Sequence, residues 1–187
     1  SRSMAPFKLV VIVGSNRKAS INRKLAGALA KLGEGAFTAS FASIDDLPMY
    51  NQDLEVGAWP ETATRLKDAI AAADAVLVVT PEHNRSIPAV LKNAIDWASR
   101  PPGKGVWGGK PAAIIGTSPG GVGTACAQQH LRDILGNQGA LVMGGQMFIT
   151  WKEGLVDEAG VVTVEATRDF LRTFMERFAA LVGKLTG

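Results

Sequence analysis

The feature that most constrains this chain is a series of short, largely apolar segments, separated by stretches with helical spacing. The segments are residues 7–13, 37–41, 75–80, 111–116 and 140–143, the last of which resumes at 147–149. Strands that are apolar throughout, rather than on alternate residues, belong to parallel sheets covered by helices on each side. The sequence therefore predicts an α/β fold with a doubly wound five-stranded parallel sheet and helices on both faces.

Length, charge and cysteine content limit the class of protein. A chain of 187 residues suits one domain, expected over residues 4–187, and residues 1–3 before Met4 are interpreted as an addition to the natural sequence. The net charge of +3 comes without a basic block, which argues against nucleic-acid binding. No apolar run approaches the ~18–20 residues of a membrane span. The single cysteine, Cys126, allows neither an internal disulfide nor a metal knuckle, so we expect a cytoplasmic protein without a metal site.

The sheet order predicts where a ligand binds. Doubly wound sheets hold their ligands at the carboxyl ends of the strands, where the strand order reverses. The loops that follow Val13, Thr80 and Gly116 are therefore the expected site.

The loop after the first strand has the composition of an anion site. Ser15, Ser20 and Asn22 offer hydrogen bonds beside a helix N-terminus, and Arg17 offers a charge-assisted one. Neither G-x-G-x-x-G nor the Walker pattern is present, because Gly14 is the sole glycine of this loop. The pattern favours a monophosphate held mainly by side chains. The alternative is that Ser20 only caps the helix and that Arg17 is solvated.

The loop after the third strand, residues 80–88, is stiffened by Pro81 and Pro88. Such a loop can present rigid backbone groups and one ring face to a planar heterocycle. By itself, however, the segment indicates no more than a connection from a strand to a helix.

Three segments together carry a family resemblance. They are Gly14-Ser15-x-Arg17-x-x-Ser20-x-Asn22, Pro81-Glu82-His83-Asn84 with Ser86-Ile87-Pro88 and Lys92-Asn93-Ala94-Ile95-Asp96-Trp97, and Thr117-Ser118-Pro119-Gly120-Gly121-Val122-Gly123. The chain resembles the NAD(P)H-dependent FMN reductase family, and within it the quinone and chromate reductase branch. The resemblance covers nearly all of residues 4–187 and implies a single flavodoxin-like, FMN-binding domain.

The resemblance assigns a part of the FMN to each loop. The phosphate is expected on the side chains of Ser15, Arg17, Ser20 and Asn22 and on the backbone N–H of Ile21. The isoalloxazine ring is expected along Pro81, Glu82, His83, Asn84 and Arg85. Its pyrimidine edge is expected near Ser118, Gly120 and Gly121.

Two positions depart from the family pattern, which commonly has aromatic residues where His83 and Arg85 stand. His83 keeps a flat ring but makes it titratable. Arg85 adds a fixed cation near the expected flavin mouth, which favours anionic acceptors or the phosphate of NADPH. The alternative is that Arg85 extends into solvent or pairs with Glu82.

The resemblance also implies the chemistry. Hydride passes from NAD(P)H to the flavin, and a quinone, chromate or another small acceptor then takes the electrons in the same pocket, in ping-pong order. The cofactor carries this chemistry, so we assign no side chain as general acid or base. We expect Asp96 to be solvated or to cap a helix, His130 to be structural, and Cys126 to be a small packed hydrophobe.

Members of the family resemble homodimers or homotetramers in which a neighbouring subunit closes the flavin pocket. Arg100 ends the helix that starts at the flavin loop, ~16 Å along its axis, so it is expected to serve the acceptor site of a neighbour. Residues 45–59, with Tyr50 and Asn51, are expected to form a pocket rim or an interface segment.

Two other functions remain open from the sequence alone. One is a flavodoxin-type electron carrier without direct NAD(P)H activity. This chain is basic, and Arg17 is foreign to carrier phosphate loops. The other is a regulatory or assembly protein without flavin, because a fold does not determine a function.

Overall fold

A computed structural model describes residues 5–187 and has at its centre a parallel sheet. The strand order is β2-β1-β3-β4-β5, and a short sixth strand also pairs with β4. This is the flavodoxin-like order of the expected fold. The strands are β1 (Phe7–Val13), β2 (Phe37–Phe41), β3 (Ala75–Val79), β4 (Pro111–Ser118), β5 (Leu141–Val142) and β6 (Phe148–Thr150).

Five helices cover the two faces of this sheet. Because side chains alternate along a strand, Val11 faces one layer and Ile12 the other. The Val11 layer packs against α1 and α5, whereas the Ile12 layer packs against α2, α3 and α4. The helices are α1 (Ile21–Leu32), α2 (Glu61–Ala72), α3 (Ala89–Ala98), α4 (Ala125–Asn137) and α5 (Glu165–Thr186).

The reversal of strand order lies between β1 and β3. Strand β1 pairs with β2 on one side and with β3 on the other, in parallel register on both. The chain therefore leaves β1 toward one edge of the sheet and later returns to build the opposite edge. The loops after β1, β3 and β4 consequently meet at a single carboxyl edge.

The fifth strand is interrupted, as its two predicted pieces suggest. Its halves, β5 and β6, both pair with β4, and α4 satisfies carbonyl groups in the gap between them. Arg132 donates to the carbonyl oxygens of Met143 and Gly145, at 2.9 and 3.0 Å. Gln128 Nε2 donates to the Met147 carbonyl oxygen at 2.9 Å. These backbone carbonyl groups in the gap between β5 and β6 are therefore hydrogen-bonded, because side chains of α4 replace the strand partners that they lack.

Helix boundaries differ slightly from the predicted ones. Helix α4 begins two residues later than its predicted start at Gly123, whose φ of +62° belongs to the preceding turn. No helix within residues 5–187 is long and apolar enough to cross a membrane. The predicted domain start at Met4 and the interpretation of residues 1–3 lie outside the described part of the chain.

Candidate active site

The three loops at the carboxyl edge are joined by direct contacts. The Gly14 backbone N–H donates to the Val79 carbonyl oxygen at 2.8 Å, which ties the first loop to the end of β3. At Gly116 in β4, a Cβ would overlap the Thr80 carbonyl oxygen and the Thr124 hydroxyl. Glycine is therefore required there, because the backbones of β3 and β4 approach too closely for any side chain.

The first loop presents hydrogen-bond donors to an anion. Ser20 is the N-cap of α1, and its Oγ accepts from the Arg23 N–H. The Ser15 Oγ accepts from the Arg17 N–H at 3.3 Å, which folds the loop back on itself. The first turn of α1 contains no acidic residue, so nothing there repels a phosphate. Hydroxyls, a guanidinium and the open N–H groups of the first turn are the donor set that an FMN phosphate needs.

Asn22 has a structural role that the sequence did not reveal. Its Oδ1 accepts from the Thr117 N–H at 2.9 Å, and its Nδ2 donates to the Thr117 carbonyl oxygen at 3.0 Å. Both residues are buried, so the pair fixes α1 to the end of β4. Only the second N–H of the Asn22 side-chain amide and the Asn22 backbone N–H are therefore left to make the expected contact with the phosphate.

The second loop contains a tight turn. His83 and Ser86 exchange two backbone hydrogen bonds of 2.9 Å, which close the turn. Its central residues have positive φ, +50° at Asn84 and +67° at Arg85. This is the type I′ arrangement, in which asparagine is tolerated and arginine is strained. The turn therefore holds the backbone of Arg85 in a fixed place.

Helix α4 holds this loop at two points. The Glu82 carboxylate accepts from the Ala127 N–H at 2.8 Å in the first turn of the helix. One turn further, His130 Nδ1 lies 2.8 Å from Ser86 Oγ. The side chain of Glu82 is therefore an anchor, and the structural role expected of His130 takes the form of this contact.

The third loop is closed by its own side chains. Ser118 Oγ donates to the Gly123 carbonyl oxygen at 2.7 Å. A Cβ at Gly121 would meet no atom within 4 Å, so this part of the loop borders open space. The Ser118 hydroxyl is thus occupied, and backbone groups around Gly120 and Gly121 are the atoms left to meet a ring.

Residues 47–59 form a segment, here called the strap, that is pinned to α3. Asn93 Oδ1 accepts from the Tyr50 N–H at 2.7 Å. Asn93 Nδ2 and Trp97 Nε1 both donate to the Pro48 carbonyl oxygen, at 3.0 and 2.7 Å. Sequence reasoning missed this anchor, although one signal was available. Asn93 is a polar residue beside the apolar stripe of Leu91 and Ala94.

Arg100 is engaged by the strap within its own chain. Its Nε and Nη2 donate to the two carboxylate oxygens of Glu55 at 2.6 and 2.9 Å, and Tyr50 donates to the same carboxylate at 3.1 Å. The hydrogen bonds from Arg100 lower the pKa of Glu55 below its ordinary value. Burial, reinforced by the bond to Glu55, raises the pKa of Tyr50. Arg100 therefore fastens the strap to the end of α3.

The surroundings of Asp96 and Cys126 bear on their expected roles. Asp96 pairs with Lys92 at 3.0 Å on the exposed surface of α3, which fits the expected solvated role. Cys126 is half-buried. Within residues 5–187, no group of three His, Cys, Asp or Glu side chains is placed to hold a metal ion.

A cavity of about 260 Å³ borders Ser15 and the ends of β1 and β2, and is lined by Phe41, Arg23 and Asp45 among others. This volume is below the ~300–1,000 Å³ of typical small-molecule pockets. We therefore place the candidate site at the junction of the three loops rather than in this cavity.

Known proteins share both the sequence pattern and the fold. The profile of the NADPH-dependent FMN reductase family matches residues 7–153. The chain belongs to this family. FMN is therefore the cofactor of this chain, and NAD(P)H is its electron donor. The hydrogen-bond donors at the start of α1 agree with a bound phosphate group.

Individual relatives extend the match over almost the whole chain. A 2-hydroxy-1,4-benzoquinone reductase from a Burkholderia species is 50% identical over 94% of this chain and 96% of its own length. A quinone reductase from Pseudomonas putida KT2440 is 42% identical, covering 94% and 95%. The structure of FerB, a flavoenzyme NAD(P)H:(acceptor) oxidoreductase from Paracoccus denitrificans, superposes with a TM-score of 0.92. It is 47% identical and covers 95% of this chain and 98% of its own.

Proposed function

We propose that this chain is an FMN-dependent NAD(P)H oxidoreductase that reduces quinones. One observation supports this proposal most strongly. The N-terminus of α1, which has no acidic residue in its first turn and lies beside Ser15, Arg17 and Ser20, meets a rigid turn that α4 holds in place. The relatives named as quinone reductases, at 42 and 50% identity, support a quinone as the acceptor.

The protein contributes binding and orientation. When bound, FMN supplies the acceptor and donor of hydride, and the chain holds it in place. In this proposal Arg17 and the hydroxyls of Ser15 and Ser20 hold the phosphate. The backbone of residues 81–85 would hold the ring, and the backbone around Gly120 and Gly121 would offer hydrogen bonds to its polar atoms. Asn22, Glu82 and His130 keep these loops in register by the contacts described above.

Chromate reduction and ping-pong order are further parts of the proposal. One pocket that first admits the bulky NAD(P)H and then an oxidant has room for oxidants of different sizes, so a small oxyanion such as chromate fits the same scheme. A cytoplasmic location stays a prediction from the sequence.

A homodimer or homotetramer is also proposed. The strap exposes Met49 and Val56, at 72% and 84%, next to the salt bridge of Arg100. Apolar side chains this exposed on a well-anchored segment suit a subunit contact. Sedimentation should therefore give a mass of two or four chains, and a monomer at micromolar concentration would contradict this proposal.

The visible spectrum of the purified protein tests the main proposal. Flavin bands should be present, should bleach on anaerobic addition of NADH or NADPH, and should return on addition of a quinone. Bands that persist with both nicotinamides would favour an electron carrier. A colourless protein that does not take up FMN would overturn the proposal and favour a role without flavin.

A further inference from the structure

We propose that Arg85 selects anionic acceptors, specifically quinones that carry an ionised hydroxyl or a carboxylate. The inference rests on the proposed quinone reductase function and adds a substrate class to it. Three observations carry it: the backbone conformation of Arg85, the hydrogen bond that engages Glu82 elsewhere, and the fixation of the turn that contains Arg85.

The backbone conformation argues that arginine is kept here against a conformational preference. Arg85 has a φ of +67° at the second central position of the turn, where glycine is free of strain and a long side chain is not. Strained residues of this kind concentrate at functional sites. The positive φ therefore supports the proposal that the side chain of Arg85 has a function.

The surrounding charges leave the guanidinium available. Glu82, the carboxylate nearest in sequence, accepts a hydrogen bond from the Ala127 N–H at the start of α4. Arg85 itself is exposed and takes part in none of the ion pairs found within residues 5–187. Of the two alternatives for Arg85, the ion pair with Glu82 is therefore wrong, whereas extension into solvent agrees with the exposure of its side chain.

The turn fixes the starting point of the side chain. Two backbone hydrogen bonds close the turn, and the contact between Ser86 and His130 ties it to α4. Because the same loop is proposed to follow the flavin ring, the cation is carried at the edge of the acceptor pocket. A guanidinium offers paired N–H donors to a delocalised oxyanion, whereas a neutral quinone gains little from it.

The chemistry of the acceptor matches this cation. A 2-hydroxyquinone is a vinylogous acid that is ionised at neutral pH, and its charge is shared between two oxygens. The relative named as a 2-hydroxy-1,4-benzoquinone reductase carries the name of such a compound. We therefore expect Arg85 to improve kcat/KM for ionised hydroxyquinones by ~10- to 100-fold, the range of one charge-assisted hydrogen bond.

The experiment compares two acceptors of similar skeleton, 2-hydroxy-1,4-naphthoquinone, which is ionised, and 2-methyl-1,4-naphthoquinone, which is neutral. Arg85→Gln in the FMN-loaded enzyme should lower the ratio of kcat/KM for the ionised acceptor to kcat/KM for the neutral acceptor by ~10- to 100-fold. Arg85→Gly should show the same loss without lowering Tm, because glycine relieves the positive φ. Arg172→Gln, an exposed arginine on α5, is the matched control and should change neither acceptor.

Direct binding provides a readout besides activity. The Kd of the ionised quinone for the oxidised enzyme, followed by the flavin absorbance, should rise in Arg85→Gln by a larger factor than the Kd of the neutral quinone. Equal losses for both acceptors would overturn the proposal. So would a change in the preference for NADPH over NADH with an unchanged acceptor ratio, because Arg85 would then recognise the donor phosphate. Failure of the proposed function itself is distinguishable, since wild-type enzyme would then reduce neither quinone.

Discussion

At the scale of single residues, several polar side chains make hydrogen bonds that the backbone of a neighbouring strand would otherwise make. Asn22 bonds both polar atoms of the Thr117 peptide, in the manner of a neighbouring strand. Asn93 does the same for the strap by pairing with the Tyr50 N–H and the Pro48 carbonyl oxygen. In each case a side-chain amide supplies one donor and one acceptor to backbone groups that have no neighbouring strand on that side.

Replacement of Asn22 by alanine should therefore cost stability as well as cofactor affinity. The Thr117 N–H and carbonyl would be left buried without partners, a loss of about 2–4 kcal/mol in the free energy of unfolding. Urea titration of the apoprotein measures this loss. The exposed residue Asn137, replaced in the same way, should change stability by less than ~0.5 kcal/mol. Equal effects of the two variants would contradict the structural role of Asn22.

Replacement of Arg17 by alanine should weaken FMN binding without lowering stability. One charge-assisted hydrogen bond to the phosphate predicts a Kd raised by ~10- to 100-fold. Quenching of FMN fluorescence on binding measures the Kd. Lys18→Ala removes an adjacent cation outside the family motif, so an equal loss there would show that only the general charge of the loop matters.

At the scale of secondary-structure elements, α4 organises two parts of the sheet edge. The Ala127 N–H in its first turn donates to the Glu82 carboxylate, and His130 contacts Ser86 in the turn after β3. Further along, Arg132 and Gln128 bond the gap between β5 and β6. One helix therefore positions the loop after β3 and completes the broken fifth strand.

The contact between the strap and α3 should depend on pH through Glu55. Its pKa is lowered chiefly by the hydrogen bonds from Arg100, so its contribution to stability is present above its ordinary value of 4.5 and is lost as pH falls through the lowered pKa. Wild type should be more stable than Glu55→Gln at pH 7, and the difference should shrink below about pH 4.5. Thermal unfolding of both proteins across this range measures it. A difference that is constant with pH would exclude the ionised pair as its cause.

Position 116 should tolerate no side chain, because the end of β3 lies too close to β4 there. Gly116→Ala should cost at least ~3 kcal/mol, because the new Cβ overlaps the Thr80 carbonyl and the Thr124 hydroxyl. Gly136, inside α4, has open space around its Cβ position, so Gly136→Ala should instead gain ~0.5–1 kcal/mol. Chemical unfolding of the pair tests the assignment, and similar losses in both would refute it.

At the scale of the whole molecule, the sequence pattern predicted the architecture well. Strands β1 and β2 have the predicted bounds, because apolar runs and glycine stops are local signals. The contacts that shape the candidate site could not be predicted from the sequence. The pairing of Asn22 with Thr117 spans 95 positions, and that of Arg100 with Glu55 spans 45. Neither spacing has a period that a sequence pattern can reveal.

The complete catalytic cycle should follow ping-pong kinetics, because donor and acceptor are proposed to use the same pocket in turn. Double-reciprocal plots with NADH varied at several fixed quinone concentrations should give parallel lines. The reduced donor should also inhibit competitively against the quinone at high concentration. Lines that intersect would require a complex with both substrates bound and would contradict a shared pocket.

The interrupted fifth strand also bears on how these chains behave toward one another. The edge beyond β4 consists of two residues in β5 and three in β6, with the gap between them bonded to α4. Sheet edges recruit foreign strands through long rows of unpaired N–H and C=O groups, and such rows seed cross-β growth. An edge cut into pieces this short gives an incoming strand too few partners in register. The break therefore protects crowded or newly synthesised chains from aggregation along this side.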